Sequence, residues 1–291
     1  MKKIFLFTAA LLLAAFALPA AEPVPTAENN ARVAANLDTV LQKKTFPASN
    51  GLALPYRLFV PPGYSPAKKF PLLVYLHGRG ERGTDNGPEL YNNSGLFMGS
   101  RSIVSPAMQR VFPCLVLVPQ CSDKTVNEDW ARWVGNTPET PFLGLGKDGS
   151  YTLAAEPSDS GRAVLELIDA LMREYSVDAH CVYLTGISMG GFGTWEYLMR
   201  RPELFAAAVP MAGFSDQSKI DRIKHIPIWI FHGGADEANP VQGSRNMYRL
   251  LQQAGATVRY TEYPDTGHMD SFKKAWAEPD LRPWIFAQRK P

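Results

Sequence analysis

The segment Gly186-Ile187-Ser188-Met189-Gly190 stands between two patterns that leave it few conformations. The apolar run Cys181-Val182-Tyr183-Leu184-Thr185 leads into it, and a helical pattern beginning near Gly191 leads out. A chain that passes from strand to helix this quickly turns sharply, and the residue at the tip is held in a strained backbone conformation. Bulky side chains two residues to either side would collide there, and Gly186 and Gly190 remove the collision. The serine hydroxyl is then presented at the carboxyl end of a strand.

Other apolar runs supply a sheet for that strand. Phe70–Leu76 and Cys114–Val118 are near-continuous, as expected of parallel strands buried on both faces. Val182–Thr185, Ala206–Met211, Ile226–Phe231 and Thr257–Tyr263 continue the series, while Leu54–Val60 alternates like a half-exposed strand. Helical spacing separates several of them: Arg162–Tyr175 carries Val164, Leu165, Leu167, Ile168, Leu171 and Met172 on one face, and Gly193–Met199 and Arg245–Ala254 are shorter. Strand and helix alternating in this way predict a mostly parallel central sheet with helices on both faces. Ser122–Pro157 breaks the rhythm, is rich in Gly, Pro, Asp and Trp, and is a candidate pocket wall.

Lys2 and Lys3, the apolar stretch Ile4–Leu18 and Leu18-Pro19-Ala20-Ala21 have the layout of a secretory signal peptide, with an apolar run short for a membrane span. Residues 1–21 are therefore read as a signal peptide and 22–291 as one domain, secreted or periplasmic, with no membrane insertion after removal. The formal net charge of +2 includes Lys2 and Lys3, so the remainder is near neutral and not steered toward nucleic acid. Three cysteines, Cys114, Cys121 and Cys181, lack metal-type spacing; export would permit one disulfide, though Cys114 and Cys181 read as buried strand residues. The sequence carries no signature of an oligomeric state.

A serine hydroxyl near neutral pH needs a general base, and the base needs an orienting acid. Of five histidines, His77 and His232 end apolar runs and His180 and His225 precede strands, whereas His268 lies in the polar stretch Pro264-Asp265-Thr266-Gly267-His268 past the last strand. That position lets the imidazole reach over the carboxyl edge of the sheet. Asp236 follows Phe231-His232-Gly233-Gly234-Ala235 at the same edge, with Glu237 and Asp216 as fallback acids. The backbone N–H of Met189 is one donor for a developing oxyanion, and the turn after Leu76-His77 offers a second from Arg79, or else Gly78. Trp130 and Trp133 are apolar platforms suited to sugar rings or aromatic acyl groups, or else anchors for their loop. Gly78-Arg79-Gly80-Glu81-Arg82-Gly83 spells G-x-G-x-x-G, but turn residues follow it where a dinucleotide site needs a helix. No H-E-x-x-H or C-x-x-C occurs, so neither a catalytic metal nor a cofactor is expected.

Several phrases resemble the α/β-hydrolase branch that holds feruloyl esterases, acetyl-xylan esterases and polyhydroxybutyrate-depolymerase-like proteins, many labelled "prolyl oligopeptidase family". They are Leu54-Pro55-Tyr56-Arg57, Tyr75-Leu76-His77-Gly78-Arg79-Gly80-Glu81-Arg82-Gly83, Val118-Pro119-Gln120-Cys121 and Thr185 through Trp195, with Phe231 through Asp236 and Thr266-Gly267-His268. The resemblance spans roughly Leu52 to Arg289. It implies the α/β-hydrolase fold, a Ser188–Asp236–His268 triad and a serine esterase acting on carbohydrate-linked acetyl or feruloyl esters. Polyester depolymerase, serine peptidase and a catalytically silent carbohydrate-binding protein are the alternatives.

Overall fold

The computed structural model describes residues 37–87, 95–98, 101–124, 129–131 and 148–291. The residues read as a signal peptide, Trp133 and most of the Ser122–Pro157 stretch lie outside them.

Eight strands among the described residues form one sheet: β1 Gln42–Pro47, β2 Ala53–Phe59, β3 Phe70–Leu76, β4 Leu115–Pro119, β5 Val177–Ile187, β6 Ala207–Met211, β7 Ile228–Gly233 and β8 Val258–Tyr263. Their spatial order is β1-β2-β4-β3-β5-β6-β7-β8, and β1 and β2 are antiparallel to their neighbours while β3 to β8 run parallel. The parallel strands therefore all end at one edge, and the turns after β3, β5, β7 and β8 crowd together there.

The continuous apolar runs follow from burial on two faces. On β3, Leu72, Val74 and Leu76 join one core while Leu73 and Tyr75 join the other. The first core is closed by α2 Asp159–Glu174, α3 Met189–Arg200 and α4 Val241–Gln253, the second largely by α5 His268–Ala277 and α6 Leu281–Phe286. A short helix, α1 Pro106–Val111, precedes β4. Helix α2 begins where Ser158 accepts the Gly161 N–H at 2.9 Å, and it buries Val164, Leu165, Leu167, Ile168 and Leu171.

One expectation needs correction. Leu54–Val60 is not half exposed: β2 lies between β1 and β4, and its Tyr56 to Phe59 are buried. The edge strand β1 goes unread in the sequence because Lys43 and Lys44, residues that discourage edge-to-edge pairing, interrupt any apolar pattern. Cys114, Cys121 and Cys181 are all buried and none is disulfide-bonded.

Candidate active site

Ser188 lies at φ 53° and ψ −118°, a region that side-chain-bearing residues seldom occupy, between the end of β5 and the first residue of α3. Its N–H is held by the Met211 carbonyl on β6 at 2.9 Å. A Cβ on Gly186 would stand 2.2 Å from the Gly190 carbonyl oxygen, and one on Gly190 would stand 2.0 Å from that of Leu76. The obstructing atoms are backbone on both sides and cannot yield. Gly190→Ala is accordingly expected to cost at least about 3 kcal/mol, a fall of roughly 6–12 °C in Tm by calorimetry.

His268 is not in a loop. It opens α5, where Ser271 Oγ donates to its carbonyl at 2.7 Å and the ring meets Phe272 edge-on at 4.9 Å. Its Nε2 is 2.8 Å from Ser188 Oγ and its Nδ1 is 2.6 Å from Asp236 Oδ2. With the carboxylate accepting the Nδ1 proton, Nε2 is left to accept from the serine hydroxyl. Asp236 is fully buried at its side chain, and its Oδ1 accepts the backbone N–H groups of Ala238 and Asn239, each at 2.9 Å. Burial alone would raise the Asp236 carboxyl, but hydrogen bonds from His232 and His268 outweigh it and hold the group well below the usual carboxylate range. Of the fallback acids, Asp216 is occupied by the Leu153 and Ser218 N–H groups, and Glu237 is exposed.

The loops that carry Asp236 and lead into His268 touch through their backbones. Gly234 N–H donates to the Tyr263 carbonyl at 2.8 Å and Ala235 N–H to that of Thr266 at 3.1 Å. A Cβ on Gly233 would lie 2.2 Å from the Thr266 oxygen, which accounts for glycine there. Asn239 Nδ2 then fastens the acid loop to the Ala212 carbonyl, just past β6, at 2.7 Å.

The turn after β3 is a three-residue 3-10 turn, Arg79–Glu81. His77 Nδ1 donates to the Gly78 carbonyl at 2.6 Å, while Nε2 accepts the Cys121 N–H at 3.1 Å. Because the N–H of a trans peptide points opposite its C=O, this grip turns the Arg79 N–H away from the ring. Burial raises the Glu81 carboxyl above its ordinary value, opposed in part by its own N–H and by the Gly78 N–H that faces it. The Arg79 guanidinium reaches Asp129 at 3.2 Å, and Arg82 reaches the same fully buried carboxylate at 3.1 Å. Gln120 ties the turn down further, donating to the Glu81 carbonyl at 3.2 Å and accepting from Asn86 N–H at 2.6 Å. Met189 is the first residue of α3, where a backbone N–H has no acceptor within the helix.

Trp130 is not a substrate platform. It is 0% exposed, its indole N–H donates to the His77 carbonyl at 3.1 Å, and its ring packs edge-on against the His77 ring at 4.8 Å. With Asp129 it braces the 78–82 turn from below. Sequence reasoning missed Asp129, Asn239 and His232; the last had one signal, its place four residues before Asp236.

Burial pushes the His77 imidazole down to about 4, from an ordinary value of about 6.5. The folded protein thus keeps neutral a ring that the unfolded chain protonates in that interval. The contribution is nil above about pH 6.5, costs ~3 kcal/mol as pH falls to about 4, and levels off below. Urea midpoints measured across that window should fall less steeply for His77→Gln than for the native protein.

The mostly parallel eight-stranded sheet, with its helices and its strand–turn–helix around Ser188, is an α/β-hydrolase fold. Residues 153–278 match the Dienelactone hydrolase family. The crystal structure of a thermostable esterase superposes with a TM-score of 0.73 at 38% identity, over 88% of this chain and 64% of that one. Carboxylesterase SOBER1 of Arabidopsis thaliana is 25% identical over 217 residues, 69% of this chain and 85% of the plant protein. The bifunctional acetylxylan esterase/xylanase XynS20E of Neocallimastix patriciarum is 29% identical over 144 residues, 48% of this chain and 22% of that protein. Other curated relatives are matched in part: this chain spans 12% of the length of one and 47% of four more. Among the described residues no helix is long and apolar enough to cross a membrane.

Proposed function

We propose that this chain hydrolyses carboxylic esters through an acyl-enzyme on Ser188. The observation that carries the reading is the Asp236–His268–Ser188 hydrogen-bond chain, with steps of 2.6 and 2.8 Å, ending on a serine at the tip of a strained turn. Ser188 Oγ attacks the ester carbonyl as His268 Nε2 takes its proton, forming a tetrahedral intermediate. The N–H groups of Met189 and Arg79 receive the oxyanion. His268 returns the proton to the departing alcohol, and water then repeats the sequence to release the acid. Asp236 holds the imidazole in the productive tautomer and stabilises its charged form.

For the substrate we favour acetyl or feruloyl groups on plant polysaccharide, acted on by an exported single domain. That preference draws on the sequence motifs, the N-terminal segment and the likeness to an acetylxylan esterase/xylanase. A fluorophosphonate probe should label the folded protein stoichiometrically, and acetate or ferulate should be released from substituted xylan oligosaccharides. Hydroxybutyrate release or cleavage of short peptides instead would move the protein to a different ester or amide class. A folded protein that resists labelling would leave a binding protein in place of the enzyme.

A further inference from the structure

We propose that His232 is a positioning residue for the orienting acid, so that Asp236 is gripped by two histidines with opposite duties. The inference rests on the reading of Asp236 as that acid. His232 is the penultimate residue of β7, is 0% exposed, and places Nε2 3.2 Å from Asp236 Oδ2, the oxygen that accepts from His268. The proton on the His232 ring follows from its surroundings. Nε2 faces two acceptors, Asp236 Oδ2 and the Asn239 carbonyl at 3.3 Å, so it carries hydrogen. Nδ1 lies 2.7 Å from Ser244 Oγ on α4. That hydroxyl donates to the Gly213 carbonyl at 3.1 Å, which also receives the Trp195 indole N–H at 2.9 Å.

The arrangement divides the Asp236 carboxylate. Oδ1 is fixed by two backbone N–H groups, and Oδ2 by one histidine that never meets substrate and one that must move a proton. Without His232, Oδ2 would be held only by the side chain it has to orient. The carboxylate could then turn about its Cβ–Cγ bond and let the His268 ring drift from the Ser188 hydroxyl.

Two substitutions separate positioning from packing. The amide nitrogen of glutamine is as many bonds from Cβ as Nε2, so His232→Gln can still donate to Asp236; asparagine reaches only the Nδ1 position, so His232→Asn keeps the Ser244 side and loses the carboxylate. Expected for His232→Asn is a fall in kcat of about tenfold to a hundredfold, the loss of one hydrogen bond to a charged group, with KM unchanged. His232→Gln should stay within about threefold of the native kcat at a similar Tm. In proton NMR, the low-field resonance of the His268 Nδ1–H should shift or broaden in His232→Asn and persist in His232→Gln. Equal impairment of the two variants in step with Tm, or a native kcat and an unmoved resonance in His232→Asn, would overturn the proposal. If the native protein turns over no ester while the resonance responds as described, positioning stands and the hydrolase reading fails.

Discussion

Replacing Ser188 by alanine is expected to lower turnover of a nitrophenyl acetate by at least about a thousandfold, in line with removal of a triad nucleophile. The change deletes one oxygen, so the fold should persist and near-native circular dichroism should accompany the loss. Whatever hydrolysis remains would come from the oxyanion donors and from substrate binding, which do not use the hydroxyl. Ser188→Gly sharpens the test. The residue sits at φ 53°, where glycine is free of the strain that a Cβ imposes, worth about 1–3 kcal/mol. Added chain entropy in the unfolded state takes back up to about 1 kcal/mol. Ser188→Gly should therefore be as inactive as Ser188→Ala and melt a few degrees above the native protein. Retention of most of the native rate by either variant would remove Ser188 from the chemistry.

Asp236→Asn should also be severely damaging, roughly ten-thousandfold in kcat, as when an orienting acid imposes the wrong tautomer. The asparagine oxygen would stay with the Ala238 and Asn239 N–H groups, which point at Oδ1 at 2.9 Å. Its NH2 would then occupy the Oδ2 position, facing the His268 Nδ1 proton and the His232 Nε2 proton. Donor meets donor on both sides. His268 can escape only by moving its proton to Nε2, where it can no longer accept from Ser188. Stopped-flow acylation with an activated ester would report the loss directly, and less than about a tenfold slowing would rule out the assigned role.

The sheet was legible because burial on both faces leaves a strong mark on composition. Phe70–Leu76 reads as a strand at its true bounds, while β1, half solvated and lysine-bearing, leaves none. The position of Ser188 was legible for a similar reason, since strand, two glycines and helix constrain one another. His268 and Asp236 could be chosen by chain order and by their place past a strand end. The helix that begins at His268 could not, because its N-cap is Gly267 and makes no side-chain cap bond. Trp130 shows the other limit. An indole in a Gly- and Pro-rich stretch is equally compatible with a surface platform and a buried brace, and only the contact with His77 decides. The pairing of His232 with Asp236 depends on how a turn folds back over four residues, which no periodicity records.

The seam between the two loops that carry Asp236 and His268 governs how this site can come apart. Those loops are stitched main chain to main chain, whereas Ser188 belongs to the neighbouring turn and meets the imidazole through one side-chain bond. On the proposed reading, an opening of the site would part the Ser188 hydroxyl from the imidazole before it parted the imidazole from Asp236. In the structure that single contact is already made, at 2.8 Å, beside an imidazole whose aim the two stitched loops fix.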